Sequence, residues 1–196
     1  MYIDVSSHQG KIDWQKVATN KDIKGVILRA TTQNNKLDVR TIENYDGVLH
    51  NMSDIDEISV YKFSYAKDYV SARVEAHKCV QALSQKGVHF DFLYLDLEKH
   101  SGADYTKEQA SAVILGYVDE LCAFGIDKKL RLYFNWNYFK NIVDDIWHCF
   151  PIWLARYNTT MGDVGNANVI LWQYTSKGRI DGINTDVDIS KKVAGT

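Results

Sequence analysis

The chain has 196 residues, of which 45% are hydrophobic and 24% charged, with a formal net charge of −2. These values suit one globular domain over residues 1–196 with a sizeable core, and they exclude a disordered or fibrous chain and a basic surface for nucleic-acid phosphates or anionic lipid. No run approaches the roughly 20 apolar residues that span a bilayer, and the opening MYIDVSSHQG lacks a basic region followed by an apolar one.

Short β-like runs alternate with segments of helical spacing. The first run is YIDV (2–5), with Asp4 near its end, and the second is GVILRA (25–30). The third, ISVYKFSYA (58–66), carries Tyr61, Phe63 and Tyr65 on one face. Residues 69–86 then read as a helix whose apolar stripe is Val70, Val74, His77, Val80 and Ala82 or Leu83. The run FLYLDLE (92–98) follows. Residues 107–124 form the next predicted helix, with Ala110, Val113, Ile114, Tyr117, Val118 and Leu121 on the apolar face, and with Thr106 and Gln109 spaced as a capping box.

The later runs are LRLYFN (130–135), PIWLA (151–155), VILWQY (169–174) and DVDI (186–189). Helical segments shrink here: residues 137–149 allow about three turns, and 158–168 read as loop. Cys79, Cys122 and Cys149 lie far apart with no paired spacing for zinc, and their odd number argues against a disulfide framework; buried apolar fillers are the alternative. Strands alternating with helices predict an α/β barrel, but eight complete units take about 250 residues. The length therefore points to an irregular TIM-like barrel whose last three strands have lost most of their helices.

Within LYLDLE, side chains two apart share a face, about 6.6–7 Å apart along the strand. Leu93, Leu95 and Leu97 point to the helices, while Tyr94, Asp96 and Glu98 point inward at the carboxyl end, where barrel active sites form. Two such close carboxylates push one pKa upward and place a proton donor beside an anion, the arrangement that cleaves glycosidic bonds. In a closed barrel the first and last strands are neighbours, so Asp4 and Asp188 join the same cavity. Tyr61, Phe63, Tyr133, Asn135, Trp153 and Gln173 lie at corresponding places and supply the flat aromatics and amides of a saccharide groove.

The chain resembles glycoside hydrolase family 25, the Chalaropsis-type lysozymes or N-acetylmuramidases. The resemblance runs through DVSSHQGKIDW (4–14), VILRAT (26–31), VYKFSYA (60–66), LYLDLE (93–98), IWLARYN (152–158), WQYTSKGRIDGI (172–183) and VDIS (187–190). It implies five β/α units followed by three strands, and cleavage of the β-1,4 bond from N-acetylmuramic acid to N-acetylglucosamine in bacterial peptidoglycan. Glu98 then matches the general acid, Asp96 its companion carboxylate, and Asp4 and Asp188 the other two acids. Two departures stand out. Lys62 occupies the centre of a tyrosine-histidine-phenylalanine pattern, where alternation points it outward and predicts little catalytic effect. Thr32 and Gln33 stand where relatives often place glycine.

Retention is the expected stereochemistry, with Asp96 either attacking the sugar or orienting the substrate's own 2-acetamido group. No cofactor, metal, nucleic-acid, membrane or obligate protein partner is implied. Action on the cell wall without a leader requires release by lysis, holin or other export, or a longer parent protein. The competing readings are a non-catalytic wall-binding barrel and a metal-dependent glycan deacetylase that uses His8 or His100 with the acids.

Overall fold

Runs rich in β-branched and aromatic residues form eight strands, which pair in sequence order into a closed barrel. They are β1 (Tyr2–Val5), β2 (Gly25–Arg29), β3 (Glu57–Phe63), β4 (Leu93–Asp96), β5 (Leu130–Asn135), β6 (Ile152–Ala155), β7 (Val169–Gly178) and β8 (Val187–Lys192). The computed structural model describes residues 1–99 and 104–193. Among the described residues the five α-helices are α1 (Trp14–Val17), α2 (Thr41–Asn51), α3 (Tyr69–Ser84), α4 (Lys107–Ala123) and α5 (Trp136–Asn141), one after each of β1 to β5. This is the irregular α/β barrel expected from the spacing of the runs.

Neighbours from β1 through β7 are parallel, whereas β8 runs antiparallel to both β7 and β1. The reversal sets Asp188 directly opposite Asp4 in the β1–β8 register, so the second residue of a returning strand meets the third residue of the first. Nothing in the pattern of the last run signals this turn of direction.

Alternation divides the core in two. Tyr2, Ile27, Tyr94, Tyr133, Trp153 and Leu171 fill the barrel. Leu93, Leu95 and Leu97, all fully buried, belong to the larger layer between strands and helices, and each stabilises the fold by roughly 1.5–3 kcal/mol. The β1–β2 seam is especially tight, because a Cβ built on Gly25 would stand 2.1 Å from the Tyr2 ring.

The predicted helix after residue 106 begins as expected: Thr106 caps α4, and the capping box with Gln109 is complete. The face assigned to α3 is wrong in part. Val70 and Val74 are exposed, while Ala72, Glu75, Ala76, Cys79, Val80 and Leu83 are buried. Close approach explains the choice of small residues: α4 presents Gly116 to α3, where an added Cβ would lie 2.6 Å from Tyr69 O and 2.8 Å from Ala72 Cβ. Among the cysteines only Cys79 is a buried filler; Cys122 and Cys149 are exposed. Lys62 does leave the barrel interior, but it enters the layer under α3 and is fully buried. No helix among the described residues is long and apolar enough to cross a membrane.

Candidate active site

The strands end early. β3 stops at Phe63 and β4 at Asp96, so Tyr65 and Glu98 lie just beyond the strands expected to contain them. The alignment nevertheless persists, because Leu97 N donates to Tyr133 O at 3.1 Å and Ser64 N to Asp96 O at 2.9 Å. Side chains from the inner face thus converge at the carboxyl end of the parallel strands. They line a cavity of about 340 Å³ that includes Asp4, Asp96, Glu98, Asp188, Tyr61 and Phe63.

Glu98 is half-buried at this cavity and accepts a hydrogen bond from Asn135 Nδ2 at 3.1 Å. Asn135 is itself held, since its Oδ1 caps α5 by accepting from Tyr138 N at 3.0 Å. Asp96 lies deeper, 6% exposed, and its Oδ1 is buried with no hydrogen-bond partner among the described residues. Gln173 joins the opposite wall. Its Nε2 donates to Asp4 Oδ2 at 3.0 Å, and its Oε1 accepts from Tyr133 OH at 3.0 Å and Tyr157 OH at 2.9 Å.

All four acids titrate above the ordinary carboxylate range, and burial is the largest cause for each. For Asp4 the charge of Asp188 adds to burial and the Gln173 amide opposes it. For Asp96 the charges of Glu98 and Asp4 add, opposed by Arg29 and Lys62. Glu98 is raised by burial and lowered by the Asn135 hydrogen bond. Asp188 is raised further by Glu98, against hydrogen bonds from its own backbone and from Tyr157. The cluster therefore holds its protons more tightly than isolated carboxylates do, and the facing Asp4 and Asp188 titrate as a pair.

The cavity brings together the six other residues selected from the sequence. Five of them line it, and Asn135 reaches it through Glu98. Trp153 is only 2% exposed and packs edge-on to Tyr133 with centroids 4.5 Å apart, so it forms floor rather than open wall. Four further lining residues lie outside the set selected from the sequence: His8, Arg29, Tyr65, which shares the face of Tyr61 and Phe63, and Tyr157. Arg29 follows Ile27 at same-face spacing, which was the available signal; Tyr157 lies in the loop after β6, beyond any periodicity. His100 lies outside the described residues, and among those described no group of three His, Cys, Asp or Glu side chains forms a metal-binding set.

Paired acids at the carboxyl end of a barrel, walled by aromatics and amides, form a glycosidase-like constellation. The model of glycosyl hydrolases family 25 matches residues 3–183. The chain belongs to this family.

Other similarities follow the same line. The chain is 26% identical to YegX of Escherichia coli strain K12 over 194 residues, covering 96% of this chain and 67% of YegX. The modular autolysin LytC of Streptococcus pneumoniae, solved with a synthetic peptidoglycan ligand, superposes with a TM-score of 0.85 at 22% identity. That match covers 96% of this chain but spans only 45% of the autolysin's length. The bacterial lysozyme of Streptomyces coelicolor gives a TM-score of 0.71 at 19% identity, covering 97% of this chain and 90% of the lysozyme. At these identities the solved structures establish the shared family 25 fold.

Proposed function

We propose that residues 1–196 act as a single catalytic unit, a muramidase that cleaves the β-1,4 bond between N-acetylmuramic acid and N-acetylglucosamine in bacterial peptidoglycan with retention at the anomeric carbon. The observation that carries this reading is the pairing of a half-buried Glu98, oriented by Asn135, with a deeper Asp96 in one aromatic-walled cavity. Membership of family 25 and the likeness to a peptidoglycan-bound autolysin support the substrate class.

In this mechanism Glu98 is the member of the cluster that reaches the substrate. Protonated, it donates to the glycosidic oxygen as an oxocarbenium-like transition state forms; ionised, it then takes a proton from the attacking water. Asp96 supplies negative charge beneath the sugar ring in the state where the shared proton sits on Glu98; burial and the charges of Glu98 and Asp4 oppose its ionisation, and Arg29 and Lys62 only partly offset them. Its place in the cavity lining beside Glu98 supports a role in holding the 2-acetamido N–H while the acetamido oxygen closes on the anomeric carbon. Asp4 and Asp188 position substrate and, through their charge, help to keep a proton in the cluster. Tyr61, Phe63, Tyr133, Trp153 and Gln173 present rings and an amide to the glycan.

Replacing Glu98 with glutamine tests the assignment. Muropeptide release is expected to fall by at least about a hundredfold with the fold intact. Unchanged turnover would remove Glu98 from the mechanism. Mass spectrometry of the digest is expected to find muramic acid at the new reducing ends; glucosamine there would make the enzyme a glucosaminidase. NMR of the freshly released anomer tests retention, and a thiazoline analogue of the closed acetamido intermediate is expected to inhibit.

A further inference from the structure

The two departures from the family pattern touch each other. Lys62 Nζ donates to Thr32 O at 3.0 Å, across the layer between the barrel and α3. The same ammonium is 3.6 Å from Glu75 Oε2, and both side chains are buried. Burial pulls the Lys62 ammonium below its ordinary range, and the Glu75 carboxylate is the largest influence opposing that pull.

Glu75 has two further duties. Its Oε2 accepts from the backbone N–H of Tyr65 at 2.9 Å, and its Oε1 accepts from Tyr117 OH at 2.7 Å. Tyr65 stands beyond the end of β3 and lines the cavity beside Phe63, with ring centroids 5.0 Å apart. Lys62 Nζ also lies 5.3 Å from the Tyr65 ring centroid. A buried ion pair on the far side of the sheet thus grips one wall of the site by its backbone. Unless they bring specificity, such pairs are frequently no more stabilising than apolar residues of the same size. Here the geometry supplies a specific object, the Tyr65 rim.

We propose that Lys62 and Glu75 are positioning residues that hold the Tyr65 rim and the Thr32 segment in register, and thereby set the affinity for glycan rather than the rate of bond cleavage. The kinetic half of this inference rests on the muramidase reading above; the anchoring half does not. On this proposal Lys62 leaves the chemical step unchanged, as its outward direction from the barrel predicts, and acts on binding.

The deciding variant is K62M/E75L, which replaces the pair by apolar side chains of similar size. With soluble peptidoglycan fragments its KM is expected to rise about fivefold to tenfold while kcat stays within about twofold, the signature of lost uniform binding. Amide hydrogen exchange at Tyr65 is expected to quicken, with β4 amides unchanged. K62M/E75Q keeps an acceptor for the Tyr65 N–H but not the donor to Thr32 O, and is expected to recover part of the KM, with the rest of the loss due to Lys62. Should K62M/E75L fail to fold, E75D withdraws the carboxylate by one methylene and is expected to raise KM in the same sense. A folded K62M/E75L, or in its place E75D, with native KM and native Tyr65 exchange would overturn the proposal. If the unmodified protein releases no muropeptide, the functional reading fails, and Tyr65 exchange alone then upholds or overturns the anchor.

Discussion

Asn135 connects the catalytic candidate Glu98 to the start of α5: one amide side chain donates to Glu98 Oε2 at 3.1 Å and accepts from Tyr138 N at 3.0 Å. The helix cap fixes the amide, and the amide fixes the acid. Because this bond favours ionised Glu98, its loss carries a sign that can be measured.

In Asn135→Ala the Glu98 pKa rises further. Activity that needs protonated Glu98 is lost as pH climbs through that pKa, so the alkaline limb of the pH–rate profile is expected to move upward. Looser orientation is expected to lower kcat by about tenfold, and loss of the cap to cost about 1 kcal/mol in thermal unfolding. An alkaline limb that stays in place would show that Glu98 does not set it.

Asp4 and Asp188 face each other across the β1–β8 seam, and both titrate above the ordinary range. Folding raises these acids, so the stability they contribute is complete below the unfolded value of about 3.9 and is lost as pH rises through the folded values. Asp4→Asn removes one charge and keeps an acceptor for Gln173. It is expected to stabilise the protein at pH 7 by on the order of 1 kcal/mol, flatten the dependence of stability on pH, and lower activity. Melting curves from pH 4 to 8 test this; equal destabilisation at both ends would refute it.

Gln173 satisfies two tyrosine hydroxyls and Asp4 at once. Gln173→Leu is expected to cost about 1–3 kcal/mol in urea unfolding, because it strands buried polar groups. Gln173→Glu keeps the acceptor but sets another carboxylate against Asp4. Its deficit is expected to be larger at pH 7 than at pH 4, whereas that of the leucine variant is expected to vary less.

The Tyr2 ring covers Gly25 so closely that no Cβ fits. Gly25→Ala is expected to destabilise by about 1–3 kcal/mol through displacement of Tyr2 and loosening of the β1–β2 seam. Denaturant unfolding measures the loss, and Tyr2→Ala in the same background is expected to recover part of it.

Much of the barrel is legible in the sequence because a strand of period two, packed against helices on one face and carrying acids into the cavity on the other, leaves a pattern such as LYLDLE. The same arithmetic brings Asp4, Asp96, Glu98 and Asp188 to one cavity. It fails where burial does not follow hydropathy. On α3 the buried face adds alanines, a cysteine and Glu75 to the expected Val80 and Leu83, in close contact with α4, while Val70 and Val74 remain outside. Lys62 is buried because Glu75 and the Thr32 carbonyl meet it, partners far away in sequence. The reversal of β8 and the approach of Tyr157 depend on loops, which carry no period.

The closure of the barrel by β8 has a consequence for the order of folding. The bond from Gln173 Nε2 to Asp4 Oδ2 joins residues 169 positions apart, and the facing of Asp4 and Asp188 is longer-range still. During synthesis from the amino end, β1 waits with an open edge while the β/α units accumulate, and the acid cluster is completed only when the last strand turns back against it. A hydrolase built this way lacks one side of its acid cluster until β8 has been made and paired with β1.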